Sequence, residues 1–143
     1  MQSFAVGQEY ELDVTVTDQE VREFAELTGD KNRIHLDEAY AATTPFKHRI
    51  AHGALLNGFI SAALGMGMPG EGTIYLGEDI EYKAPVYIGD RLHIHLRIQE
   101  LLPKNGAVIG VRVTNDKDVV VAEGHAHVKL PRPVEPATFQ RAA

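Results

Sequence analysis

The sequence predicts an α+β protein in which one antiparallel sheet wraps around a central apolar helix. The segment GALLNGFISAALGMGM, residues 53–68, is apolar on nearly every side. A helix without a polar face has to be covered by other structure, so we expect this one to be buried. The stretches that follow it have the alternation of strands, with no helical pattern between them. Strands that follow one another directly favour an antiparallel sheet over alternating βαβ units.

The elements before the central helix are a strand and two shorter helices. Residues 10–16, YELDVTV, alternate as a strand does. Thr17 and Glu20 have the spacing of a capping box, which predicts a helix that Gly29 ends in a left-handed conformation. A second helical stretch is expected from Asp37, as its cap, to about Ala42. Between these helices, residues 29–37, GDKNRIHLD, have neither helical nor strand periodicity.

Four strands are expected after the central helix, separated by turn residues. They cover residues 73–88, 91–102, 108–114 and 119–130, and the turns are at Gly89-Asp90, Asn105-Gly106 and Asn115–Asp118. We therefore predict one domain over residues 1–130. Residues 131–143, PRPVEPATFQRAA, contain three prolines and no periodicity, and are expected to form a loosely ordered tail.

Composition excludes several classes of protein. The chain has 143 residues, of which 44% are hydrophobic and 24% charged, as in a globular domain. It has no cysteine, which excludes disulfides and thiolate metal sites. The formal charge of −6 argues against a nucleic-acid partner. No apolar run reaches the ~18 residues of a membrane span, and MQSFAVGQEY is not a secretory signal, so we expect a cytoplasmic protein.

The first candidate site is Asp30 with His35. A carboxylate and an imidazole are suited to proton transfer at neutral pH. A spacing of five residues turns two side chains roughly 140° apart on a helix and to opposite faces of a strand. An irregular loop is therefore needed to bring them together, and the pair is either an active site or an accident of a polar loop.

The second candidate site is the start of the central helix, RIAHGALL. Gly53 lies where the first helical N–H groups have no partner within the helix, and a glycine lets a ligand oxygen approach them. Such a position can stabilise an oxyanion, although many helices simply begin at a glycine. Within the same helix, Asn57 and Ser61 need hydrogen-bond partners if they are buried, and for Ser61 the helix backbone is the commoner partner.

Taken together, these residues resemble a known family. The stretch TGDKNRIHLDEAYAATTPFKHRIAHGALLNGFIS resembles the signature of the MaoC-like (R)-specific enoyl-CoA hydratases, which have the hot-dog fold. The similarity extends over nearly the whole chain outside the tail. The positions that match the family motif are Asp30, Asn32, His35, Asp37 and Ala51-His52-Gly53. One position departs from it, because Arg33 stands where the family commonly has a proline.

The resemblance implies reversible hydration of a trans-2-enoyl-CoA to an (R)-3-hydroxyacyl-CoA. It implies Asp30 as the base for the attacking water, His35 as the group that holds this water and delivers a proton, and the Gly53 N–H as the ligand of the thioester oxygen. It also implies support of Asp30 by Ser61, with Asn32 fixing the loop. No cofactor or metal is expected, since coenzyme A is part of the substrate, and a homodimer or a higher oligomer of dimers is implied. Candidate ligands of the coenzyme A phosphates are Arg33, Lys47, Arg49 and Lys83.

Three other interpretations remain open. A thioesterase of the same fold generally has its carboxylate elsewhere, often on the central helix, and this helix has no acid. A non-catalytic acyl-CoA-binding module would not need the Asp30–His35 pair. A cupin-like metal site is loosely suggested by His93, His95, Glu100 and Gly106, but the spacing is imperfect and no second motif follows. We expect these histidines, with His125 and His127, to lie on the polar face of the sheet.

Overall fold

A computed structural model describes residues 3–132 of the chain. Apart from its first two residues, the predicted tail 131–143 lies outside this range. Five strands form one antiparallel sheet in the order β1-β3-β4-β5-β2. Their bounds are β1 Glu9–Thr15, β2 Ile74–Tyr82, β3 Arg91–Leu102, β4 Gly106–Asn115 and β5 Val120–Lys129. The predicted α+β class is confirmed, and the strands β1 and β2 are the two edges of the sheet.

Three helices lead from β1 to the central helix α4. They are α1 (Asp18–Thr28), α2 (Arg33–Leu36) and α3 (Glu38–Ala41). Helix α4 (Gly53–Ala62) continues into a π-helical turn at Ala63–Gly67. The predicted capping box is present, with reciprocal hydrogen bonds between Thr17 and Glu20. Gly29 ends α1 with a φ of 82°. Asp37 caps α3 through the N–H of Tyr40. These local predictions are confirmed.

The core lies between one face of α4 and the inner face of the sheet. Leu56, Ile60 and Leu64 of the helical segment are buried there, against sheet residues that include Leu92, Ile94, Leu96 and Ile98. The opposite face of the segment is exposed in the single chain, at Ala54, Gly58, Ser61, Ala62 and Met66. In the single chain the sheet therefore covers one face of the predicted central helix and leaves the other face open.

Two predictions require correction. The strand expected at residues 73–88 ends at Tyr82. Beyond it the N–H groups of Lys83 and Ala84 both donate to the carbonyl of Val121, at 2.8 and 3.4 Å, so the regular ladder stops, and Pro85 has no N–H to donate. An isolated bridge then pairs Tyr87 with Ile50. The segment that contains His35 is also not wholly irregular, because residues 33–36 form α2 after Asn32 caps the first turn.

The strand histidines lie on the polar face of the sheet, as predicted. His93 lies between Asp13 and Asp116, at 2.8 and 2.7 Å, and His125 contacts Asp79 at 2.8 Å. Each is thus satisfied by a surface carboxylate, and the sheet packed on α4 is not a cupin barrel. Among the described helices, none is long and apolar enough to cross a membrane.

Candidate active site

The turn between α1 and α2 brings Asp30 towards His35. Gly29 reverses the chain at the end of α1, and the side chain of Asn32 then accepts the N–H of Ile34 at 3.2 Å to begin α2. The Asp30 carboxylate accepts the N–H of Asn32 at 3.4 Å. The turn and the first residues of α2 together bring Asp30 and His35 close to each other, which neither a continuous helix nor a strand allows. Asn32 thus caps α2, the helix that carries His35.

Three polar side chains converge at this point. One ligand atom each from Asp30, His35 and His52 lies within 4.8 Å of the others. The rings of His35 and His52 stack, with their centroids 3.8 Å apart. His52 is 2% exposed, whereas Asp30 is exposed and His35 is partly buried. The predicted proximity of Asp30 and His35 is therefore present, with a buried imidazole beside them.

Hydrogen bonding fixes the tautomer of His35. Its Nδ1 lies 2.7 Å from the carbonyl oxygen of Ile50, which can only accept, so Nδ1 carries the proton and Nε2 has a free lone pair. Partial burial lowers the pKa of His35 below its ordinary value of 6.5, and it outweighs the opposing effect of the Ile50 carbonyl. The ring is accordingly uncharged at neutral pH.

Gly53 lies beside the same imidazoles. It is the first residue of α4, so its N–H has no acceptor within the helix. A cavity of about 380 Å³ is lined by His35, His52 and Gly53, and also by apolar side chains that include Phe46, Leu56 and Val86. A Cβ on Gly53 would lie 3.1 Å from the ring of Tyr82, which explains why this position favours glycine. The cavity thus combines a basic nitrogen, an available amide and an apolar lining.

Two predicted site residues are placed differently. Ser61 is exposed, and none of the hydrogen bonds described for residues 3–132 involves it, so the single chain does not bring it to Asp30. Arg49 donates to the carbonyl of His35 at 2.7 Å and to Asp18 at 2.6 Å, and its side chain is only 11% exposed. A nearly buried guanidinium with two partners is poorly available to coenzyme A phosphates, and this corrects the prediction for Arg49.

The other predicted phosphate ligands are exposed cations. Arg33 lies over the ring of Tyr40 at 4.2 Å. Lys47 is exposed and has a φ of 68°. Lys83 lines the cavity and lies 3.5 Å from Glu123. Of the four predicted cations, Lys83 is therefore the one placed at the cavity itself.

The donor atoms of Asp30, His35 and His52 are also close enough to be considered as a metal site. His35 and His52 each use one nitrogen for a hydrogen bond to a backbone carbonyl, as metal-binding histidines also do. The remaining nitrogens are Nε2 of His35 and the buried Nδ1 of His52.

His52 was not among the predicted catalytic or binding residues. In sequence it is one residue of the Ala51-His52-Gly53 match, and the available signal was a histidine adjoining an otherwise apolar helix. The structure places it at the centre of the cluster.

Comparisons with known proteins point to one family. The family model "MaoC like domain" matches residues 2–136. The chain is 42% identical to a 3-hydroxybutyryl-CoA dehydratase of Methylorubrum extorquens over 84% of this chain and 76% of the relative. It is 40% identical to an (R)-specific enoyl-CoA hydratase of Aeromonas caviae over 91% of this chain and 98% of the relative.

Solved structures lead to the same group. The R-hydratase PhaJ1 of Pseudomonas aeruginosa superimposes with a TM-score of 0.86 at 43% identity, covering 92% of this chain and 87% of that one. The (R)-hydratase of A. caviae involved in PHA biosynthesis gives a TM-score of 0.87 at 39% identity, covering 92% and 100% of the two chains.

Proposed function

The chain belongs to the MaoC-like domain family, and on that premise we propose that it is an (R)-specific enoyl-CoA hydratase. It is a hydro-lyase that adds water reversibly across the double bond of a trans-2-enoyl-CoA to give an (R)-3-hydroxyacyl-CoA. The observation that carries the proposal is the cluster of Asp30, His35 and His52, whose two imidazoles line the same cavity as Gly53. Hydratase relatives at about 40% identity support it.

The amide of Gly53 activates the substrate. A conjugated thioester is electron-poor at its β carbon, and attack there moves negative charge onto the thioester oxygen. The free N–H at the start of α4, together with the helix dipole, stabilises that charge where it develops. The apolar lining of the cavity excludes competing water and strengthens the interaction.

Asp30 and His35 handle the proton of water. The water molecule donates hydrogen bonds to the Asp30 carboxylate and to Nε2 of His35. As its oxygen bonds to the β carbon, Asp30 takes one proton, and this proton then passes through Nε2 of His35 to the α carbon. One hydroxyl and one proton are added to the same face, and both side chains return to their starting states. The uncharged state of His35 at neutral pH suits this relay.

The proposal includes a homodimer. Strand β2 is an unpaired edge that exposes Ile74 and Leu76, each 57% exposed. Helix α4 lies against this edge, since Asn57 donates to Glu78 at 2.9 Å. The exposed face of α4 and the edge of β2 therefore form one surface that a second copy would cover. Pairing of β2 with its symmetry mate would remove the open edge.

The remaining parts of the proposal concern the substrate and its use. Coenzyme A enters as part of the substrate, and Lys83 at the cavity is the favoured ligand of its phosphates. The solved A. caviae hydratase is described as involved in PHA biosynthesis. We extend to this chain the supply of (R)-3-hydroxyacyl-CoA for such polyesters, in the cytoplasm.

Thioester hydrolysis is the nearest alternative. Helix α4, GALLNGFISA, has no acidic residue to act as its base or nucleophile. The two activities differ in product, because hydrolysis releases a free thiol and hydration does not. Measuring both products from one incubation therefore discriminates between them.

The test is an assay of purified protein with crotonyl-CoA and longer trans-2-enoyl-CoAs. We expect loss of the conjugated absorbance, no matching release of thiol, and an (R) product by chiral analysis. Asp30→Asn and His35→Ala should lower turnover by about 10²–10⁴-fold with an unchanged circular dichroism spectrum. His93→Ala, on the outer face of the sheet, is the matched control and should keep full activity. Near-normal rates in both site variants, or thiol release faster than hydration, contradict the proposal.

A further inference from the structure

The buried imidazole of His52 connects the two proposed catalytic residues. Its Nε2 lies 3.0 Å from the backbone carbonyl oxygen of Asp30, and its ring stacks on that of His35 at 3.8 Å. We propose that His52 is a positioning residue, which holds the Asp30 backbone and the His35 ring in the relative geometry that hydration requires. This inference rests on the proposed hydratase function and adds to it a residue that does not itself contact the substrate's reacting atoms.

The hydrogen bond to Asp30 sets one half of that geometry. A carbonyl oxygen only accepts, so Nε2 of His52 must carry the proton. Asp30 follows the left-handed Gly29 and is exposed, so few packing contacts restrain its backbone. The bond from His52, which is 22 residues away in sequence, ties this turn to the start of α4. The carboxylate is thereby fixed relative to the Gly53 amide, which follows His52 directly.

The stacked ring sets the other half. His35 is held at one edge by the Ile50 carbonyl, and its face rests on His52. Phe24 of α1 packs against His52 with ring centroids 4.7 Å apart. With 2% of its surface exposed, His52 has little freedom to turn. The direction of the free Nε2 of His35 is therefore determined by a rigid neighbour rather than by solvent.

The other nitrogen of His52 indicates that this side chain does more than fill space in the protein interior. Its Nδ1 is buried and has no hydrogen-bond partner among the described residues. A buried polar atom without a partner lowers stability, so an apolar residue would fill the space at less cost. Retaining a histidine here is explained by the bond that its Nε2 makes to Asp30.

The decisive experiment compares His52→Gln with His52→Met. These side chains have nearly the same length and shape, but only glutamine has a terminal N–H that can reach the Asp30 carbonyl. For crotonyl-CoA we expect the methionine variant to lose about 10- to 100-fold in kcat, because small misplacements of catalytic groups have effects of this size. Its KM should stay within about threefold, since His52 is 2% exposed and contributes little surface to the cavity. The kcat of the glutamine variant should be at least about fivefold higher than that of the methionine variant.

The controls separate the possible failures. His95→Gln, on the outer face of the sheet, should behave as the wild type, and thermal unfolding of every variant reports folding. Equal kcat values in the glutamine and methionine variants, or a loss confined to KM, overturn the positioning role while leaving the hydratase intact. A wild-type protein without hydratase activity instead overturns the proposed function.

A spectroscopic measurement tests the inference without relying on folded variants. In protein labelled with ¹⁵N-histidine, a long-range ¹H–¹⁵N spectrum near pH 8 distinguishes the two neutral tautomers. We expect the signal assigned to His52 to have its proton on Nε2, and that of His35 to have its proton on Nδ1. A proton on Nδ1 of His52 would mean that the bond to Asp30 does not form, and the proposal would fail.

Discussion

The Nδ1–H of His35 donates to the carbonyl oxygen of Ile50 across 2.7 Å, which leaves Nε2 as the nitrogen that faces proton transfer. Partial burial lowers the pKa of His35 below its ordinary value of 6.5. The proposed relay needs the uncharged ring. We therefore expect kcat/KM to be level at neutral pH and to fall, as pH decreases, only below about 6.5.

The lowered pKa of His35 also affects stability, which is expected to fall, like kcat/KM, as the pH decreases. Because the folded pKa of His35 is the lower one, the unfolded chain binds a proton first as pH falls. The contribution of this residue is fully present above about pH 6.5 and is lost below it. Both effects can be measured from pH profiles of kcat/KM and of the thermal midpoint. In His93→Gln the acid limb of kcat/KM should remain, and an acid limb well above pH 6.5 in the wild type would contradict the assignment to His35.

Arg49 is predicted to support the site through its hydrogen bond to the backbone of His35. Its Nε donates to the carbonyl of His35, and its Nη2 binds Asp18. Arg49→Met leaves that carbonyl without its donor, which we expect to lower the free energy of unfolding by about 1–3 kcal/mol. It should also lower kcat more than it changes KM, since α2 carries His35.

The control for Arg49 uses the same carboxylate. Arg22 also pairs with Asp18, but its side chain is 53% exposed and the pair spans a single helical turn. Arg22→Met should therefore change stability by no more than about 0.5 kcal/mol and leave kcat unchanged. If the two variants behave alike, the link from Arg49 to His35 has no special role.

The sequence predicted those parts of the site that depend on neighbours in the chain. The cap at Thr17, the end of α1 at Gly29 and the cap at Asp37 are set by contacts within three or four residues, and all three are confirmed. Gly53 was correctly placed at the start of α4, because the apolar run of the helix begins there. Short-range hydrogen bonding and backbone conformation are sufficient for such predictions.

The errors concern contacts between residues far apart in sequence. Arg49 looked like a surface cation because its partner Asp18 is 31 residues away, and His52 lacked a role because Asp30 is 22 residues away. The exposure of Ser61 follows from which face of α4 the sheet covers, and periodicity cannot specify this for a helix that is apolar all round. The early end of β2 depends on Val121 of β5, whose carbonyl accepts from both Lys83 and Ala84 and so interrupts the regular pairing.

Lys83 is predicted to bind a coenzyme A phosphate. It lines the cavity and its side chain is 43% exposed. A contact between exposed charges is worth about 1 kcal/mol in water, which corresponds to about a fivefold change in KM. Lys83→Met should raise the KM for crotonyl-CoA by this amount, and the effect should shrink at high salt. Crotonyl-pantetheine lacks the diphosphate and the 3′-phosphate, so its KM should not change.

The matched control is Lys129 at the end of β5, whereas Lys83 lies beside the start of that strand. Lys129→Met removes a partly buried side chain whose ammonium contacts the carbonyl of Lys104, away from the cavity. Its KM for both thioesters should equal that of the wild type. A rise in the KM of crotonyl-pantetheine in Lys83→Met would instead indicate damage to the cavity itself.

The proposed dimer can be tested at Leu76. This side chain is 57% exposed on the edge strand β2. In a dimer that pairs the two β2 edges, Leu76→Glu places like charges close together in a surface that has lost its solvent, which is strongly unfavourable. We expect the wild type to be a dimer by light scattering after size exclusion, and the variant to shift to monomer. Activity should fall with the dimer, because the open side of the cavity beside α4 loses its cover.

The control for this prediction is Leu27, which is 85% exposed but lies on α1. Leu27→Glu should remain dimeric and active, because α1 is not part of the proposed interface. If Leu76→Glu also remains a dimer, the interface lies on another surface.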